Sequence, residues 1–136
     1  MKQQNIDQLA AVAEIVQFEP QQKLTRRQRL ERWADILETN SGKLNALTRI
    51  EYMKAPERSE ARVDNSPLEV AFKDAMLRED GLSSDRLGDA IDFFGLSDRQ
   101  AHRLLCDCHY SGSMTGPGLA MRLRRIAQGG WRAWFA

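Results

Sequence analysis

The chain has 136 residues, of which 42% are hydrophobic and 29% charged, with a formal net charge of +1 at pH 7. Such a balance suits one globular domain and argues against wholesale disorder. It supplies no bulk field that would favour nucleic acid or a membrane surface, and no apolar run approaches the ~20 residues of a membrane span. The charge is uneven: residues 1–50 sum to +2, residues 51–96 to −5 and residues 97–136 to +4. Blocks this mild are expected to pack side by side and neutralise each other. Asp7 and Glu14 interrupt the apolar residues at the N-terminus, which makes a poor export signal. A cytoplasmic protein with reduced thiols is therefore expected.

In chain order, the first predicted helix spans residues 6–18, with Leu9, Val12, Ala13 and Val16 on one stripe and Pro20 as stop. Asn5 and Gln8 offer it a capping box, in which side chains and backbone amides satisfy each other. Residues 26–39 repeat the pattern with Leu30, Trp33, Ala34 and Leu37, behind a Thr25/Gln28 box. A third helix is predicted over 43–53 through Leu44, Leu47 and Ile50. Ser66 and Glu69, with Pro67 at the first helical position, open a helix over 67–79. Residues 84–94 carry Leu87, Ala90, Ile91 and Phe94, stopped by Gly95. Ser97 and Gln100 cap a helix over 98–108. The last predicted helix, 117–128, carries Leu119, Leu123, Ile126 and Ala127 before Gly129.

Strand signals are weak. The expected fold is all-α: a compact bundle of about seven short helices with no significant β-sheet. We expect a single helical domain over 1–136, because fifty residues make a poor core alone. The alternative is two lobes, 1–53 and 66–128, joined by the charged connection 54–65 and followed by the aromatic tail 129–136.

The stretch "AHRLLCDCHYSG", residues 101–112, holds both cysteines and both histidines. His102 and Cys106 are four apart and His109 follows three later, so on a continuing helix they would share a stripe. Thiolate and imidazole make a reasonable zinc set, with Asp107 or a distant residue as fourth ligand. Against this, structural zinc sites usually pair two ligand elements across a loop, and here there is a single cluster. Cys106 also extends the apolar stripe of Ala101 and Leu105, where a free cysteine acts as a small hydrophobe. A histidine near a helix C-terminus is favoured by the macrodipole alone. The preferred reading is a metal-free helix end without cofactor. His102, Cys106, Cys108 and His109 stand as the metal or redox candidates. A bridge within the CxC pair would be strained and close almost no loop.

No catalytic residues are expected. Cys108 and His109 are sequence neighbours, which do not face each other on a helix. No phosphate loop, GxSxG or HExxH motif occurs.

Residues 84–108 also resemble a helix–turn–helix in outline, with Arg99, Gln100 and Arg103 as the side chains that would read base edges. Ile91 is too large for the motif's turn-facing position, and Asp85, Asp89 and Asp92 would meet phosphates. Nucleic acid is accordingly not the expected partner. In the last helix Arg122, Arg124 and Arg125 lie off the apolar face, and "GGWRAWFA" adds Trp131, Trp134 and Phe135. Trp131 is expected to pack on its own domain, while Trp134 and Phe135, with Arg122 and Arg125, are the partner-binding candidates. The expected function is a non-enzymatic adaptor or regulatory protein working through contacts with another protein or a second copy. The alternatives are a DNA-binding regulator and a metal or redox sensor.

Overall fold

The structure is a computed structural model that describes residues 23–110 and 114–129. The predicted helix 6–18 with its Asn5/Gln8 box, and the residues Trp131, Trp134 and Phe135, lie outside the described residues. Those described form seven α-helices: α1 Arg26–Glu38, α2 Ala55–Ser59, α3 Pro67–Phe72, α4 Ala75–Glu79, α5 Leu87–Phe94, α6 Asp98–Leu105 and α7 Gly116–Gln128. Their only sheet is a two-stranded antiparallel ladder, β1 Lys43–Leu44 with β2 Met114–Thr115. The fold is mostly helical, as composition and periodicity predict.

The capping signals act locally, and three can be followed. Thr25/Gln28 and Ser97/Gln100 form complete reciprocal boxes. Ser66 accepts from the Glu69 amide, but the Glu69 carboxylate takes the Asn65 amide instead of closing the box. That exchange accompanies a left-handed Asn65, with φ of 57°, a conformation that asparagine tolerates better than most residues.

The core runs as one cluster from Leu30 on α1 to Ala127 on α7. Helices α1 and α7 pack along their lengths. Trp33 is fully buried, stacks on Phe94 at 4.2 Å between ring centroids and donates its indole N–H to the Pro67 carbonyl. Burial of the ring is thus matched by a partner for its one polar atom. Gly116 opens α7 directly over the last turn of α1: a Cβ there would run into the Leu37 carbonyl oxygen.

Three predicted elements take a different form. The helix expected over 43–53 is absent. Its place is taken by β1, by Leu47 in a parallel bridge with Cys106, and by a 3₁₀ turn, Ile50–Tyr52. The apolar residues are buried as the spacing implies. Two backbone amides of the segment, however, go to distant carbonyls: Asn45 N–H to Asn65, Leu47 N–H to Leu105. The helix expected over 67–79 breaks at Asp74, whose side chain caps α4 by accepting from the Leu77 amide. The helix expected over 98–108 ends at Leu105. Cys106 turns extended (φ −87°, ψ 139°), and Asp107–His109 form a second 3₁₀ turn.

Candidate metal centre

Two backbone hydrogen bonds bring the site together. Leu47 donates to the Leu105 carbonyl at 2.8 Å, and Asp107 donates to the Leu47 carbonyl at 2.9 Å. This bridge lays the first 3₁₀ turn beside the end of α6 and so carries Glu51 to the cysteine–histidine segment. The break at Cys106 matters as much. A continuing helix would set Cys106 and Cys108 about 200° apart around its axis. The extended Cys106 and the 3₁₀ turn after it instead return Cys108 to the same side.

Donor atoms of Glu51, His102, Cys106 and Cys108 all lie within 4.8 Å of one another. Four of the six separations are 3.3 Å for His102 Nε2–Glu51 Oε1, 3.5 Å for Cys108 Sγ–His102 Nε2, 3.6 Å for Cys106 Sγ–Glu51 Oε1 and 3.3 Å for Cys108 Sγ–Cys106 Sγ. Zinc–sulfur bonds of about 2.3 Å and zinc–nitrogen or zinc–oxygen bonds of about 2.0–2.1 Å give a tetrahedron with edges of roughly 3.8, 3.5 and 3.3 Å for S–S, S–N or S–O, and N–O pairs. Three of the four separations match those edges, and the S–S pair is shorter by about half an ångström.

The chemistry of the donors points the same way. His109 Nε2 meets His102 Nδ1 at 2.8 Å, which leaves His102 Nε2 as the nitrogen facing the carboxylate and Cys108. Burial, reinforced by the positive charges of His102, Arg103 and Arg122, pushes the His109 imidazole below its ordinary value. A neutral His109 can accept the His102 Nδ1 proton, an outer partner of the kind that orients metal-binding imidazoles. The Glu51 carboxyl is held below the usual range, first by its own backbone amide and then by His102 and Cys106. Cys106, fully buried, is pushed up to about 12, first by burial and then by the neighbouring Cys108 and Glu51. Coordination to a cation is what would make a thiolate of it. Oxygen, nitrogen and sulfur donors thus converge on one point, and a divalent cation bound there would displace the thiol protons.

The centre lies at the surface of the core. Cys106 forms its floor, and the His102 and Glu51 side chains are 28% and 36% exposed. Ile50, Leu87, Ile91 and Ala101 line a cleft of about 280 Å³ that reaches Glu51 and His102.

Of the residues singled out in sequence, His102, Cys106 and Cys108 come together here, and His109 stands behind His102. Glu51 was not among them. Its only sequence signal is a carboxylate next to the buried Ile50, and nothing local connects it to a segment fifty-one positions away. Asp107, considered as the fourth ligand, is exposed and meets Cys106 Sγ at 3.6 Å. Both cysteines are free.

The remaining candidates are spread over other surfaces. Gln100 closes the α6 capping box and also meets Arg26. Arg99 lines the cleft. The Arg103 carbonyl accepts from Arg122, whose guanidinium also lies over the Tyr110 ring at 4.6 Å. Arg124 pairs with Asp35 and Glu38 of α1, and Arg125 reaches the sulfur of Met121. Asp85 is held by Arg62, and Asp89 accepts from Ser84. Among the described residues no helix is long and apolar enough to cross a membrane.

No protein-family model, curated protein or solved structure matches the chain.

Proposed function

We propose that this chain binds a thiophilic divalent cation of the zinc class through Glu51, His102, Cys106 and Cys108, and that it works as a metal-responsive regulatory protein. The observation that carries this reading is the convergence of four donor atoms within 4.8 Å of one another, with three of their separations at the edge lengths of a zinc tetrahedron. Two sulfurs and an imidazole favour zinc over the oxygen-seeking magnesium and calcium. Four protein donors fill a tetrahedral shell, the pattern of structural rather than catalytic zinc, so the proposed role is not enzymatic. The ion would staple the first 3₁₀ turn to the end of α6. Tyr52, next to Glu51 in that turn, is 76% exposed. An exposed aromatic side chain on a metal-held turn is a suitable contact for a protein partner.

The test is metal content and spectroscopy of the full chain. The chain purified in zinc-containing medium should hold one zinc ion, and cobalt(II) in its place should give the intense visible bands of a tetrahedral, thiolate-bound ion. Glu51→Gln and His102→Ala should each weaken or abolish that signal. A chain that takes up neither zinc nor cobalt(II) overturns the proposal. So does cobalt binding that survives replacement of both cysteines.

A further inference from the structure

We infer that Cys108 is a site of oxidation by peroxides, and that a disulfide it forms with Cys106 unloads the metal centre. This rests on the metal reading above. Three observations support it. The two sulfurs are 3.3 Å apart, in direct contact. Their access differs, since Cys108 is exposed whereas Cys106 is fully buried. And both lie in the same donor set, so one bond between them would remove half of the ligands.

The chemistry follows from that asymmetry. A metal-bound cysteine is a thiolate, the nucleophilic form of the residue. A peroxide reaches the exposed sulfur first. A lone pair on Cys108 Sγ attacks one peroxide oxygen, the O–O bond breaks, and the second oxygen leaves as hydroxide. Cys108 is then a sulfenic acid. The Cys106 thiolate attacks that sulfur, the S–O bond breaks, and hydroxide leaves again. Two thiolates have lost two electrons, the peroxide has gained them, and two protons from solvent turn the hydroxides into water. Cys106 needs no approach path of its own, because its target is already in contact. That proximity favours the disulfide over further oxidation of Cys108. The ion keeps only Glu51 and His102 and dissociates.

The bridge would span residues only two apart. Strain in such a ring, which argues against a permanent disulfide, makes it easy to reduce. The modification is therefore reversible by thiols.

The experiment uses the zinc-loaded full chain and hydrogen peroxide. Released zinc is followed with a chromogenic chelator, and the chain is weighed and peptide-mapped at each time. Zinc should leave in step with a mass loss of about 2 Da, located in the peptide that carries Cys106 and Cys108. Dithiothreitol and fresh zinc should restore the starting state. Cys108→Asp keeps a ligand oxygen without a thiol, and peroxide-driven release from it should be slower by about tenfold or more. If that variant holds no zinc, the mass and location of the modification in the unsubstituted chain decide alone. Zinc retained while Cys108 passes to sulfinic acid overturns the inference, as do bridges between chains in place of one within. Absence of zinc before peroxide is added overturns the metal proposal itself, and this release step with it.

Discussion

Glu51 Oε1 is met by both His102 Nε2 and Cys106 Sγ, at 3.3 and 3.6 Å, so one carboxylate oxygen touches two of the other three donors. Glu51→Gln keeps the shape and removes the charge, and zinc affinity measured against a competing chelator should fall by about tenfold or more. His109 is outside the donor set but fixes the orientation of His102. His109→Ala should leave the fold intact and lower zinc affinity by about 10–100-fold. If His109→Ala binds zinc as tightly as the unsubstituted chain, the outer role assigned to that residue fails. The CxC pair, the histidine four residues ahead of Cys106 and the burial of Cys106 are all readable from spacing. Glu51 is not, because its placement depends on a bridge between Leu47 and Cys106 that no local pattern records.

At the scale of elements, the start of α7 and the Asp74 corner are tightly constrained. A Cβ at Gly116 would enter the Leu37 carbonyl, a backbone atom that cannot swing aside. Gly116→Ala should destabilise the fold by about 3 kcal/mol or more, the upper range for overpacking, in denaturant unfolding. Gly118→Ala faces only the Thr115 hydroxyl at 3.0 Å and should cost much less. Asp74 accepts two hydrogen bonds from Arg32, at 2.6 and 3.1 Å, and also caps α4. Burial alone would raise its carboxyl, but Arg32 and the Leu77 amide outweigh that and hold it below the ordinary value. A depressed folded-state value means that Asp74 contributes its full stabilisation above the unfolded-state pKa of about 3.9. That contribution is lost as pH falls through the lower folded-state value. Asp74→Asn should therefore be less stable than the unsubstituted chain at neutral pH, and the difference should shrink in strong acid. A difference that stays constant with pH would show that the charge has no part in it. The capping boxes at Thr25 and Ser97 form as read, because a box needs only four consecutive residues. The helix predicted over 43–53 fails for the opposite reason: the Asn45 and Leu47 amides find distant partners, so helical periodicity reports the burial of Leu44, Leu47 and Ile50 without reporting their conformation.

For the whole molecule, the proposed ion ties residues 47–51 to residues 102–109 across a long loop of chain. Anything that binds only the folded state stabilises it by mass action, by about 2.7 kcal/mol at a hundred times the dissociation constant. Zinc should raise the melting temperature of the full chain by several degrees, and a chelator should reverse the rise. A melting temperature indifferent to both would remove the staple from the account. The helical scaffold should persist without the ion, since Cys106 is the one proposed ligand within the core, which also holds the stacked Trp33 and Phe94. Far-ultraviolet spectra of the chelated protein should accordingly keep their helical shape.

Composition, periodicity and local capping determine the helical class, most of the buried stripe on each helix and the gathering of soft donor atoms into one short segment. Each of these depends on residues within a turn or two of each other, so the chain carries the information locally. Tertiary structure decides where α6 stops, that Cys106 turns extended, and that Glu51 arrives from fifty-one residues away. Those outcomes follow from the Leu47–Cys106 bridge and the packing of Ile50 and Leu105 in the core. A donor set is a matter of a few ångströms, and separations of that size between distant segments are set by packing, which no spacing along the chain encodes.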